Sequence, residues 1–526
     1  MSRTQRDVIV IGGGHNGLVA AACLARAGLD VTVCEAARHT GGGASVHEVH
    51  PEFRLPALAH VQPAFDPRVI RALKLGRRGM KTASPLASLA LDPVGGALEI
   101  GPDPQTTAAS LKGRSPRDAA NFAAAYAELQ SHAAALGPLL RATPPKLDPT
   151  RRGELLALGR LGWSIRRRGR DAMRELLRII TMDVAGLLEE KFEHDLLRGA
   201  FALDAVLGTD HGPRSPNTVF TLLHRLALQQ SGRKTMPGAT VATDKPVADT
   251  LADAARAGGV ELLTDARVAR VHVEAGASRG VELSDGRVLE ARIVLSNADP
   301  VTTFADLVGG DHLDADFLDE VRAFRTRGTT GKVSFALDRL PDLPLPCAGG
   351  PARWLLAPSI DYVETAFDHV KYGEAVPEPA LEITIPSRGG PGSAPDGRHV
   401  MSVNVAYAPY SSALDPDELG ATVTRQIERH APGFAASVLA CEAWGPRDIE
   451  ARFGNRGGHW HHGDIALDQF FMVRPVPGFA QYRTPVDGLY LCGAGTHPGG
   501  GVTGTNGYNA ARAVLRDRRR RRTRHD

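Results

Sequence analysis

The stretch from Asp7 to Glu35, DVIVIGGGHNGLVAAACLARAGLDVTVCE, constrains this chain more than any other part of it. Val8 to Ile11 is a continuous apolar run, as a parallel strand buried on both faces requires. Gly12, Gly14 and Gly17 follow at G-x-G-x-x-G spacing. The first permits a tight turn, the second lets a pyrophosphate approach the backbone, and the third lets helix and strand pack closely. Asn16 to Ala27 reads as a helix with alanines toward the sheet, stopped by Gly28. Val31 to Val33 forms the next strand. Glu35 ends it 21 residues after Gly14, where a carboxylate can accept hydrogen bonds from an adenosine ribose. Strand, glycine turn, helix, strand and terminal acid together specify dinucleotide binding; alone they leave NAD and FAD open.

A chain of 526 residues is too long for one simple core and calls for two or three domains. Hydrophobic and charged fractions of 43% and 23% exclude wholesale disorder. A formal net charge of +3 supplies no global basic field, so nucleic acid is not an expected partner. Cys23, Cys34, Cys347, Cys441 and Cys492 contain no C-x-x-C pair, which argues against dithiol redox chemistry and a cysteine metal site. The first strand starts by about residue 7, and no run of 18 apolar residues occurs. The expectation is a cytoplasmic protein, soluble or peripherally attached to a membrane.

After Glu35, AARHTGGGAS marks a second place of close backbone approach, where Arg38 can hold the remaining phosphate or sugar of an extended dinucleotide. Phe53 to Phe65 is apolar but punctuated by Pro56 and Pro63, which predicts irregular structure. Ala119 to Leu136 reads as an alanine-rich helix, with Pro138, Pro144, Pro145 and Pro149 interrupting the chain beyond it. From Gly153 to Leu197, leucines, isoleucines and Trp163 mix with Arg166, Arg167, Arg168, Arg170 and Arg174. Such a face, centred on residues 156–180, fits an anionic membrane surface or the solvated rim of a helix pair. Val268 to Val273, Val281 to Leu283 and Val288 to Leu295 read as a small antiparallel unit with a Ser284-Asp285-Gly286 turn. Strands at Lys332 to Leu337, Leu381 to Ile385 and Val400 to Ala406, with a helix from Asp415 to His430, predict a second, mixed domain inserted into the first. Near the C-terminus, Gly488 to Leu491 leads into Gly493, Gly495, Gly499, Gly500, Gly501 and Gly504, then a helix. Its N-terminus would present N–H groups to an anionic group in front of it. The final RDRRRRRTRHD is a charge run expected to fray.

Three blocks carry a family resemblance: VIVIGGGHNGLVAAACLARAG at Val8 to Gly28, GLYLCGAGTHPGGGVTG at Gly488 to Gly504, and HHGDIALDQFFMVRPVPGFAQYRTPVDGLY at His461 to Tyr490. Together they resemble the phytoene desaturase and carotenoid oxidoreductase family of FAD-dependent, amine-oxidase-like flavoproteins. The third block is similar to the branch of pyridine nucleotide-disulfide oxidoreductase domain-containing proteins and flavin-type β-carotene ketolases. The resemblance implies an α/β, two-dinucleotide-binding-domain flavoprotein. Its discontinuous Rossmann-like FAD domain would cover residues 1–75, 230–300 and 485–515, its inserted mixed α+β substrate domain 76–229 and 301–484, and a basic disordered tail 516–526. Gly12, Gly14 and Gly17, with His15 and Asn16 beside them, would meet the pyrophosphate, and Glu35 the adenosine ribose. Gly42 and Gly43 fall in the second glycine motif, Val268 at the adenine, and Gly493, Gly495, Val502, Thr503 and Gly504 around the ribityl chain and flavin ring. Two positions depart from the family pattern: Ala494 stands where many members carry an acid, and Ala44 and Ser45 where an arginine often follows the second motif.

The implied activity is hydride abstraction by FAD from a hydrophobic substrate of isoprenoid, carotenoid or lipid kind, which demands no fixed acid–base pair. No pattern names the catalytic residues; His461, His462 and His497 are candidates for the polar end of an apolar channel, or are structural histidines. Crowding of His459, His461, His462 and Asp464 in one glycine-rich loop gives poor shared geometry, so no metal is expected. Ketolation, and a flavin-bound regulatory protein with little turnover, are the alternatives. NAD(P)H is not expected in a domain of its own, because one complete nucleotide fold is present.

Overall fold

Val8 to Ile11 lies at the centre of a seven-stranded sheet. The computed structural model describes residues 5–63, 65–80, 84–146, 169–230, 238–241, 246–347, 349–350, 352–389, 392–410 and 414–522, with isolated positions between 155 and 167. Gln5–Ile11 pairs in parallel with Val31–Cys34 on one side and Val288–Ser296 on the other. Glu261–Leu263 extends the sheet past Val31–Cys34, and Leu489–Leu491 lies parallel to Val288–Ser296. Opening, middle and C-terminal parts of the chain therefore share one sheet. Val268–Glu274, Ala277–Leu283 and Val288–Ser296 form the expected antiparallel unit at its edge. Val8 and Val10 enter a core with Leu18, Leu251 and Val514; Ile9 and Ile11 enter another with Val294, Phe304 and Leu491. Burial on both faces is what the unbroken apolar run encodes.

The second sheet also has seven strands, in the order Val438–Trp444, Thr330–Leu337, His399–Ala406, Leu381–Thr384, Ala352–Leu356, Ala87–Leu91 and Ala97–Ile100. Segments before residue 230 and after residue 300 are thus woven into one layer, a mixed α+β unit inserted into the nucleotide fold. Its strands alternate. Val333, Leu381, Ile383, Val403 and Val405 pack with Leu419, Val423 and Ile427 of the helix Pro416–His430. Lys332, Asn404 and Glu382 form a cross-strand row, Lys332 opposite Asn404 and Asn404 opposite Glu382. Helices Val184–Lys191, Asp195–Val206 and Thr218–Gln230 complete this unit around a large apolar core.

Several local expectations give way. Phe53 to Phe65 is irregular only in part: Phe53–Pro56 pairs with Val46–His50, and Val61–Pro63 with Gly238–Val241, while residues 57–60 between them form neither strand nor helix. Each proline sits at a strand's end, where the missing N–H costs least. The long helix Pro116–Arg141 runs through Pro138, which falls in its last turn with only Leu139 to Arg141 beyond it. Nor does the basic tail begin to fray at residue 516, because the C-terminal helix extends over Thr505–Arg522. Asp517 on that helix accepts two bonds from Arg483 at 2.7 Å and one from Tyr490 at 3.0 Å, which ties the arginine run to the nucleotide unit. Residues 147–154 and much of 157–168, where the arginine-rich face was expected to begin, lie outside the described residues. Beyond them, Arg170–Ile179 buries only Ile179, whereas Val184, Leu187, Leu188, Leu196 and Leu197 are core. No helix among the described residues is long and apolar enough to cross a membrane.

Candidate functional site

A cavity of about 770 Å³ runs from the first glycine turn to the polar face of the second sheet. Its first wall is built by backbone. Gly12 adopts a φ of 88°, and a Cβ on Gly17 would stand 2.1 Å from the Gly12 carbonyl oxygen, so only glycine lets helix His15–Ala25 start so close to its strand. That helix has Gly14 at its N-cap with no side-chain cap and no acid in its first turn. Its free N–H groups and positive end therefore face the cavity that Gly14, His15 and Asn16 line, a fit for a pyrophosphate. The second glycine run lies directly against the first: Gly41 donates to the Gly13 carbonyl at 2.8 Å, and a Cβ on Gly42 would come within 3.4 Å of Gly14 Cα. Glu35 accepts from the Gly13 N–H at 2.7 Å and from Ala37 at 2.8 Å, which fixes its carboxylate at the strand's end. With Arg38 and Val268 it lines the same wall.

Ala494, Gly500, Gly501 and Val502 return from the C-terminal strand to face this cradle. A Cβ on Gly500 would lie 1.9 Å from His461 Nδ1, so the glycine makes room for the imidazole. Arg474 braces the arrangement. Entirely buried, it donates to the carbonyls of Asp464 at 2.6 Å, Gln469 at 3.0 Å, Gly463 at 3.1 Å and Ala494 at 3.2 Å, joining the histidine loop to the glycine turn. Burial lowers it to about 10, which leaves it charged at neutral pH. The histidines are the reverse. Burial holds His15, His224 and His459 near 4, pushes His461 well below the usual range and lowers His462, so none carries charge near neutrality.

The far wall is charged. Glu382 accepts from Arg225 at 2.7 Å and Arg353 at 2.6 Å on one oxygen, and from His60 and Asn404, each at 3.0 Å, on the other. Burial works against this carboxylate, but Arg225, the His60 hydrogen bond and Arg353 outweigh it and keep Glu382 well below the ordinary range. Asp204 takes a two-pronged pair from Arg353, both at 2.6 Å, and Arg225 at 3.2 Å. Behind them Lys332 donates to Asn404 at 3.1 Å and to the Leu58 carbonyl at 3.3 Å, and burial brings it down to about 7. Among the described residues no group of three His, Cys, Asp or Glu side chains could hold a metal.

The pattern of the flavin-containing amine oxidoreductases matches residues 183–515, and that of an NAD(P)-binding Rossmann-like domain residues 10–74. The chain belongs to the flavin-containing amine oxidoreductases. It is 32% identical to pyridine nucleotide-disulfide oxidoreductase domain-containing protein 2 of Mus musculus, over 98% of this chain and 94% of that protein. It is 26% identical to a limonene dehydrogenase subunit of Castellaniella defragrans, over 98% and 95%. A structure of putrescine oxidase bound to putrescine superposes with a TM-score of 0.62 over 98% of this chain and 99% of that one, at 16% identity, a likeness of fold. As a member of this family the protein is an FAD-dependent oxidoreductase, and FAD is the group its paired glycine cradle accommodates.

Of the positions expected to hold that flavin nucleotide, Gly12, Gly14, His15, Asn16, Glu35, Arg38, Gly42, Gly43, Val268 and Val502 line one cavity with His461 and His462. Gly17, Gly493, Gly495, Thr503 and Gly504 do not line it. Gly493 and Gly495 are closely packed, since a Cβ on the first would strike Asn297 O at 2.5 Å and on the second Pro300 at 2.4 Å. Gly504 would strike Phe65 at 2.6 Å. His497, the third histidine expected near the substrate, is wholly enclosed, is not part of the cavity lining and bonds the Leu139 carbonyl at 2.9 Å. The far wall, with His60, Asp204, Arg225, Glu382 and Asn404, went unread in the sequence. Its signal was one ionic side chain inside the apolar run Leu381 to Ile385.

Proposed function

We propose that this FAD-dependent oxidoreductase removes a hydride from a hydrophobic substrate of isoprenoid or lipid kind, in the manner of the phytoene desaturase branch. The reading is carried by the cavity's middle, where Val61, Pro63, Leu207, Leu228 and Ile465 supply apolar walls between the glycine cradle and the charged wall. Leu228 and Pro63 stand 3.2 and 3.5 Å from where a Cβ of Gly501 would lie, so the apolar walls reach the C-terminal glycine turn. The whole-length likeness to a protein named as part of a limonene dehydrogenase, limonene being an isoprenoid hydrocarbon, supports the same class. FAD supplies the hydride acceptor when bound. The chain's own work is to orient the substrate and exclude water, and its buried neutral histidines are suited to contact without proton exchange. Ala494 and its neighbours place no carboxylate at the glycine turn, which leaves backbone groups there to meet the cofactor.

The test is extraction of the bound cofactor followed by anaerobic mixing with terpenes, carotenoids and fatty acyl compounds. Stoichiometric FAD and bleaching of its absorbance by a member of this panel are expected. Protein that stays colourless after FAD is supplied, or is reduced by simple amines alone, overturns the reading.

A further inference from the structure

The charged wall is more than scaffolding, because its carboxylates and its guanidinium differ in what they have left to offer. Glu382 receives four donors, two on each oxygen, and Asp204 receives Arg353 on both oxygens and Arg225 on one. Neither retains strong acceptor capacity for an incoming ammonium. Arg225 does retain donors. Its Nη2 is engaged by Glu382 and Asp204 and its Nε is buried, yet 22% of the side chain stays open where it lines the cavity. The charges facing one another here are Arg225, Arg353 and Lys332 against Asp204 and Glu382, with His60 and His224 held neutral near 4 by burial. Three cations stand against two carboxylates whenever Lys332 is protonated, and the wall is neutral when it is not. A second amine cation would therefore enter a wall with no negative charge to spare.

Position sharpens the point. Arg225 and Leu228 lie on the same helix, Thr218–Gln230, about one turn apart. Leu228 contacts the Gly501 turn, so one helix carries both the apolar wall toward the glycine turn and the guanidinium of the charged wall. His224, next to Arg225, bonds the Pro498 carbonyl at 3.2 Å and fixes the helix against that turn.

We infer that Arg225 is the head-group anchor of a substrate subsite, and that the substrate is an apolar chain ending in a carboxylate, held with that carboxylate at the charged wall and its chain along the apolar walls toward the glycine turn. This rests on the reading of the cavity as the site of an oxidisable hydrophobic substrate and narrows it. The subsite excludes amines, although the family takes its name from them. A carboxylate meeting the open part of the Arg225 guanidinium forms a charge-assisted bond, and Lys332, near 7, adds positive potential below neutrality.

The experiment is calorimetric titration of the FAD-loaded protein with decanoate, decanol and decylamine, each below its micelle concentration, at about pH 6.5. Decanoate is expected to bind at least tenfold tighter than decanol, and decylamine more weakly than either. Arg225→Gln should cost decanoate about tenfold and leave decanol unchanged. Arg225→Lys, which keeps a charge for Glu382 and Asp204, should weaken decanoate severalfold, and it decides the matter if the glutamine variant does not fold. Decylamine binding as tightly as decanoate overturns the inference, as does unchanged decanoate affinity in both variants. Loss of bound FAD from either variant also overturns it, by giving the guanidinium to the cofactor. Binding is read without turnover, so protein that prefers decanoate yet is reduced by no hydrophobic compound contradicts the proposed activity and leaves the subsite standing.

Discussion

Arg474 shows how one side chain can hold a site that it does not enter. Four carbonyls from three loop segments converge on its guanidinium; the Gln469 amide also donates to the Asp464 oxygen at 3.3 Å, but among the described residues Arg474 is the donor that joins that oxygen to those of Gly463 and Ala494. Replacing it with leucine would strand those acceptors in a dry interior. Arg474→Leu should lose about 3–5 kcal/mol in chemical denaturation, and Arg474→Lys, lacking the planar fork, should recover only part of it. A loss within about 0.5 kcal/mol would show that water replaces the guanidinium. Gly500 makes the complementary case. Gly500→Ala places a methyl 1.9 Å from His461 Nδ1 and 2.6 Å from His461 Cβ, too near the backbone for a rotamer change to relieve. FAD content should persist, because the first glycine cradle is untouched, while substrate-driven flavin reduction slows at least about tenfold. Equal reduction rates in Gly500→Ala and wild type would remove His461 from the working cavity.

At the scale of elements, the C-terminal helix is where charge patterning alone misled. The run from Arg516 reads as a solvated tail, yet Arg483 and Tyr490 from the preceding segment reach Asp517 and extend the helix to Arg522. Asp517→Asn should destabilise the protein by about 1 kcal/mol, modest because Arg483 is partly in water, and should advance proteolytic trimming of the arginine run. Trimming at the wild-type rate would mean that helix packing alone suffices. The contrast with the opening stretch is instructive. Gly12, Gly14 and Gly17 were legible because spacing within one short segment determines backbone geometry, and the strand, turn and helix they predict are all present. The charged wall was not legible, because Lys332, Glu382 and Asn404 come from three strands and meet only through register. Each looks alone like a tolerated polar residue in an apolar strand. Pairing sets them in a row, and no local pattern encodes which strands pair.

For the whole molecule, burying so many neutral histidines between two sheets makes stability depend on acidity in a stated direction. Burial depresses His15, His60, His224 and His459 from 6.5 to about 4, and His497 to about 3. A base with a lowered folded value binds its proton more readily when unfolded. The stability it contributes is therefore complete above about 6.5 and is lost as the pH falls toward 4. Each such histidine adds a slope of up to about 1.4 kcal/mol per pH unit in that window, and the five act together. Glu382, held low by Arg225, His60 and Arg353 against its burial, adds no loss until the pH falls into the carboxylate range. Urea denaturation at about pH 7.5, 6.5, 5.5 and 5 should give a small fall in midpoint between the first two, where the unfolded imidazoles begin to take protons, and a steep fall thereafter. FAD should be released over the same interval, because His15, His60 and His224 line the cavity that holds it. Midpoints unchanged from about pH 7.5 to 5 would mean that these imidazoles gain protons inside the folded protein. In that case the water-excluding cavity on which hydride chemistry and the Arg225 subsite both depend would not be dry.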